Sequence, residues 1–135
     1  MQKEQMQGEV ERFIHPKGYG FIRAGNESYF FHITDVVETN GVRFLDQGDF
    51  VLFFTEKGKN GTDRAVEVTP LLTYKMVRRE AAKKGLRMIK ERDKFGCPKW
   101  HLKNRETGEI ITEKPLSLSD VAAIVGCRRA KDKTE

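Results

Sequence analysis

Two aromatic runs separated by six residues restrict the fold of this chain more than any other feature. The first is Lys17-Gly18-Tyr19-Gly20-Phe21-Ile22 and the second is Tyr29-Phe30-Phe31-His32-Ile33. Both have the β-branched and aromatic content of strands. Side chains alternate along a strand, so Tyr19, Phe21 and Arg23 share one face and Gly20, Ile22 and Ala24 the other. In the second run Phe30 and His32 share a face, and Tyr29, Phe31 and Ile33 take its opposite. The residues between, Arg23 to Ser28, are too few for the helical crossover that parallel strands require. The two runs therefore pair as an antiparallel hairpin through Gly25-Asn26-Glu27, and one sheet face carries Tyr19, Phe21, Phe30 and His32.

A soluble protein either buries such a face or uses it. Apolar residues line the back of both strands and the cations Lys17 and Arg23 flank the front. The back belongs in the core, and the front reads as a platform on which bases stack. The first run matches the opening of the RNP1 pattern of RNA-binding sheets. In those sheets, however, RNP2 comes first and a helix lies between the aromatic strands. The reversed order here, with no room for a helix, favours the antiparallel meander of an OB-type barrel.

Residues 8 to about 70 resemble the cold-shock domain family. The resemblance is carried by Gly8-Glu9-Val10, Phe13, the two aromatic runs, Leu45 with Gly48-Asp49, Val51-Leu52-Phe53, and Ala65 with Val68. It implies a five-stranded barrel that binds single-stranded RNA or DNA through stacked bases. The chain departs from the family at three rim positions. Arg12 stands where the family has a tryptophan, Ile33 where a phenylalanine follows the motif histidine, and Val42 at a loop aromatic, with Phe44 nearby. A guanidinium stacks on bases and contacts phosphate, so Arg12 joins the expected site. That site comprises Arg12, Phe13, Lys17, Tyr19, Phe21, Arg23, Phe30 and His32, with the cations on phosphates.

Taken in order, residues 1–7 read as polar and frayed, and Gly8 to Ile14 as a first strand. Thr34 to Gly48 is a long loop whose Val36 and Leu45 plug the barrel. Asp49 to Thr55 is strand four, Glu56 to Gly61 a charged turn, and Thr62 to Thr69 strand five. Thr69 and Pro70 suit the N-cap and first position of a helix that Gly85 ends. Leu71, Tyr74, Val77 and Ala81 form its apolar stripe. Beyond it come a strand at Leu86 to Lys90, a turn at Asp93 to Pro98, and a hairpin of Trp100–Lys103 with Glu109–Thr112. A final helix spans Leu116 to Val125, with Ser117 and Asp120 as a capping pair and Gly126 as its end. Arg128 to Glu135 is a charged tail. The expected fold is mainly β: an OB-type barrel over 1–70, then a small α+β module over 71–135 (helix, two or three strands, helix). No family resemblance attaches to the second half.

Charge divides the same way. Residues 1–70 hold 8 Lys/Arg against 11 Asp/Glu, a net −3, whereas residues 71–135 hold 17 against 9, a net +8. Nucleic-acid affinity needs phosphate neutralisation as well as stacking. Lys75, Arg78, Arg79 and Lys83 are thus candidate auxiliary contacts on the first helix. Trp100 reads as a core residue packing on a helix. Cys97, His101 and Cys127 lack the short Cys pair of a structural zinc site, so no metal or other cofactor is expected. No P-loop, HExxH or GxSxG motif is present, so no catalytic residue is assigned. No apolar run reaches the roughly 18 residues that span a bilayer, and the N-terminus lacks a signal peptide's apolar stretch. The expectation is a cytoplasmic protein with reduced cysteines. It binds single-stranded nucleic acid and acts as an RNA chaperone or gene-expression regulator. A homodimer through the C-terminal module is the protein partnership considered. The alternative is an assembly module whose aromatic face is covered by the C-terminal half or a second subunit.

Overall fold

The computed structural model describes residues 4–58 and 61–127. Five strands close into a barrel: β1 (Met6–Ile14), β2 (Tyr19–Ala24), β3 (Glu27–His32), β4 (Phe50–Lys57) and β5 (Asp63–Leu72). The order around the ring is β1-β2-β3-β5-β4, and β1 pairs with β4 to complete it. All pairings are antiparallel except β3 with β5, which meet in parallel at Phe30 and Arg64. Alternation delivers the core: Val10, Ile22, Phe31, Val51, Phe53, Ala65 and Val68 are buried. The long loop after β3 adds Val36, Val42 and Leu45 to it, so Val36 and Leu45 are placed as expected.

Several strand boundaries differ from expectation. β1 begins at Met6, because Met6 and Gln7 pair with Phe53 and Leu52 of β4. Residues expected to fray are thereby held in a ladder. β4 runs on to Lys57, with Glu56 and Lys57 facing Arg64 and Asp63. The larger correction is in β5, which continues through Pro70 to Leu72. Pro70 lies opposite Val51, where the register slips by a residue. A bulge is one of the few sheet positions that tolerate a residue without an N–H. Thr69 and Pro70 therefore do not start a helix, and Leu71 is buried in β5 rather than on a helical stripe. A second slip, between Leu52 and Phe54, coincides with Glu67 at φ +48°. Bulges of this kind bend a strand around a barrel.

The chain divides into two compact units between Thr73 and Tyr74. The second contains α1 (Tyr74–Lys83), β6 (Leu86–Arg92), β7 (Pro98–Asn104) and α2 (Leu118–Val125). Gly85, at φ +72°, follows α1 as expected. β6 and β7 form a two-stranded antiparallel sheet running from Leu86–Asn104 to Arg92–Pro98. The expected partner of β7, Glu109 to Thr112, is not a strand. It returns through an isolated bridge from Lys103 to Ile110 and an Ile111 N–H donated to the Leu102 carbonyl at 2.8 Å. Met76, Val77, Ala81, Met88, Trp100, Leu102, Leu118, Val121, Ala122 and Val125 are the buried hydrophobic residues of this unit's core. Trp100 stacks on Tyr74 with centroids 5.9 Å apart. α2 begins at Leu118, two residues later than expected, because Leu116 is taken up in a bridge to Trp100. The Ser117 hydroxyl then caps the helix, accepting from the Asp120 N–H at 3.2 Å. The tail from Arg128 and residues 59–60 of the charged turn lie outside the described residues. No helix of the described residues is long and apolar enough to cross a membrane.

Candidate nucleic-acid interface

The hairpin of β2 and β3 turns at Gly25-Asn26. Gly25, at φ +63°, supplies the backbone conformation that other residues avoid. The resulting register puts Tyr19 opposite His32 and Phe21 opposite Phe30. On the outer face the three rings form a triangle, with centroids 5.5 Å apart for Tyr19–Phe30, 5.9 Å for Phe21–Phe30 and 6.2 Å for Tyr19–Phe21. Phe30 is 37% exposed. Behind them Gly20 leaves room for β1. A Cβ there would press on the Arg12 carbonyl and lie 3.0 Å from the Phe13 ring.

β1 carries a bulge between Val10 and Arg12, which face Ile22 and Phe21 respectively. The extra residue, Glu11, reverses the alternation. Strict alternation from the buried Val10 would turn Arg12 inward. Instead the Arg12 guanidinium lies 5.0 Å from the Phe21 ring centroid, on the aromatic face. Phe13 goes the other way and stacks on the buried Phe31 at 5.7 Å, keeping one edge against His15 at 4.8 Å.

His32 is held by its own turn. Its Nδ1 accepts the Thr34 N–H at 3.2 Å and lies 3.0 Å from the Thr34 hydroxyl. With Nδ1 an acceptor, the neutral ring carries its proton on Nε2. The His32 N–H donates to Asp35 at 2.9 Å, and Asp35 in turn pairs with Arg64. Arg64 also stands 5.9 Å from the Phe30 ring.

The expected cations are in different states. Lys17 is exposed and, among the described residues, forms no ion pair. Arg23 is engaged by Glu11, which also accepts from the Ser28 hydroxyl at 2.6 Å. The Ser28 hydrogen bond is the largest influence on the Glu11 carboxyl; burial opposes it, and the Arg23 and Arg12 guanidiniums add to it, leaving the carboxyl below its ordinary range. Arg64 and His15 lie outside the expected site, and Phe44 was noted only as a neighbour of the loop position. Arg64 arrives through the parallel seam between β3 and β5, which no local pattern announces. Phe44 is half exposed and stacks on His15 at 6.1 Å, whereas Val42, the expected rim position, is fully buried. The loop's aromatic is therefore supplied by Phe44, two residues after the expected position at Val42.

In the second unit Arg78, Arg79 and Lys83 are exposed on α1 and Lys75 is half-buried. Lys83 pairs with Glu80 at 3.0 Å. His101 lies between the Thr112 hydroxyl, 2.7 Å from Nδ1, and the Glu91 carboxylate, 3.3 Å from Nε2. No group of three or more metal-ligating side chains occurs among the described residues.

Comparison with known proteins places the likeness in the barrel. A family described as the 'cold-shock' DNA-binding domain matches residues 6–71. A major cold shock protein of Streptococcus pyogenes is 38% identical over 65 residues, 48% of this chain and 96% of that protein. A major cold shock protein of Bacillus cereus is 37% identical over 54 residues, 40% of this chain and 81% of its own length. Glycine-rich protein 2 of Nicotiana sylvestris is 37% identical over 68 residues, 49% of this chain and 31% of that protein.

Proposed function

The chain belongs to the cold-shock domain family, and from that premise we propose that its barrel binds single-stranded RNA or DNA by stacking bases on Tyr19, Phe21 and Phe30. The observation that carries this reading is the three-ring face itself, rimmed by guanidiniums at Phe21 and Phe30. An aromatic face accepts any base, because every base has a π surface, and adjacent cations neutralise the phosphates between them. His32 offers its Nε2–H beside Tyr19 as a donor to a base edge or phosphate. Arg12 takes the stacking place of the missing tryptophan, and Phe44 with His15 extends the track. Lys17 is the freest phosphate contact, and Arg23 contributes once Glu11 releases it. The protein acts as a cytoplasmic RNA chaperone or expression regulator, a binding protein rather than an enzyme.

Anisotropy of a labelled seven-nucleotide RNA and its DNA counterpart tests this. Each stacked base is worth about 1–3 kcal/mol. Phe30→Ala combined with His32→Ala is expected to weaken binding at least tenfold while the barrel stays folded by circular dichroism. Wild-type affinity in that folded variant would remove the aromatic face as the site.

A further inference from the structure

A groove of about 500 Å³ opens within the second unit, lined by Tyr74, Arg78, Ala82, Leu86, Arg87, Met88 and Arg105. Its volume falls within the roughly 300–1,000 Å³ of small-molecule sites. Three separate elements each contribute a guanidinium: Arg78 from α1, Arg87 from β6 and Arg105 from the turn after β7. No carboxylate lines the groove. Among the described residues none of the three arginines forms an ion pair. Three like charges gathered at one opening repel one another unless an anion sits among them. Planar guanidiniums favour phosphate, which they grip in pairs of parallel hydrogen bonds.

The remaining lining decides which phosphate compound fits. Ala82, Leu86 and Met88 are apolar, and Tyr74 is an aromatic ring backed by the buried Trp100 at 5.9 Å. A bare inorganic anion has no use for such a wall, whereas a base or ribose covers it. We infer that this groove is a nucleotide-binding site, taking the phosphate between Arg78, Arg87 and Arg105 and the nucleoside against Tyr74 and Met88. The nucleotide is either a free mononucleotide or one residue of a strand. The inference stands on the second unit alone and is independent of the barrel's binding mode.

The chain's only tryptophan, Trp100, touches the groove wall through Tyr74 and is the probe. The full chain is titrated with 5′-AMP, adenosine and inorganic phosphate while Trp100 emission is read. The same is done with a 5′-phosphorylated uridine heptamer in the Phe30→Ala, His32→Ala background, which weakens the barrel's share so that dependence on Arg87 and Arg105 assigns the signal to this groove. A saturable change with 5′-AMP, at least tenfold weaker with adenosine and with phosphate, supports a free-nucleotide site. Saturation by the heptamer alone supports a strand site. In either case Arg87→Gln with Arg105→Gln is expected to weaken binding at least tenfold with an unchanged thermal melt. If that variant does not fold, the single Arg105→Gln, at an exposed position, carries the test. No response to 5′-AMP or heptamer, equal affinity for phosphate alone, or unaltered binding in the folded arginine variant overturns the inference.

Discussion

Glu11 shows how much one inserted residue does. It is the bulge residue of β1, and its carboxylate accepts from Ser28 of β3 and pairs with Arg23 of β2. Its pKa is depressed in the folded state. Its stabilising contribution is therefore complete above the ordinary glutamate pKa and disappears as the pH falls through the lower folded value. The pair is solvent-accessible, so the effect is modest, below about 1 kcal/mol. Glu11→Gln is expected to lower the urea midpoint slightly at pH 7, with the gap to wild type closing in acid. A gap constant with pH would show that charge is not what Glu11 contributes. The same substitution frees the Arg23 guanidinium for phosphate.

Elements that announce themselves through short-range pattern are legible in the sequence. The β2–β3 hairpin, the shared face of Tyr19, Phe21, Phe30 and His32 and the end of α1 at Gly85 all rest on alternation or capping within a few residues, whereas the Tyr19–His32 and Phe21–Phe30 pairings come from the turn at Gly25-Asn26. What was not legible depends on partners distant in sequence. The bulge that turns Arg12 outward, the extension of β5 through Pro70 and the arrival of Arg64 beside Phe30 are set by register between strands. The pattern within one strand says which side chains face inward, but not which distant strand it meets or where a bulge interrupts the alternation. The second hairpin failed for a related reason. Leu86 to Arg92 and Glu109 to Thr112 are both apolar-patterned neighbours of β7, and the pattern does not say that the first takes the full ladder while the second meets β7 at the Lys103–Ile110 bridge. The cap of α2 was local and readable, and its energetic role is testable. Ser117→Ala removes the acceptor for the Asp120 N–H and is expected to cost about 1 kcal/mol. Faster hydrogen exchange in the first turn of α2, with barrel amides unaffected, is the measurement.

At the scale of the whole molecule, an acidic aromatic barrel is joined to a basic α+β unit. If the α1 cations meet the same strand as the barrel, each phosphate contact contributes about 0.7 to the slope of log affinity against log salt. Replacing Lys75, Arg78, Arg79 and Lys83 with Gln is then expected to flatten the slope measurably while the affinity lost to Phe30→Ala stays the same. An unchanged slope would confine the strand to the barrel. The two units also end their sheets differently. The barrel closes on itself and so presents no unpaired strand along its ring. In the two-stranded ribbon, β7 is partly sheltered by the bridges at Trp100–Leu116 and Lys103–Ile110, whereas β6, among the described residues, ladders only with β7. Four of the seven residues of β6 (Arg87, Lys90, Glu91 and Arg92) are charged. Such charges deter a passing strand from docking on an open edge. The hazard of misassembly at high concentration, during overexpression or in the cold, therefore resides in this ribbon rather than in the barrel, and those charged side chains are its gatekeepers.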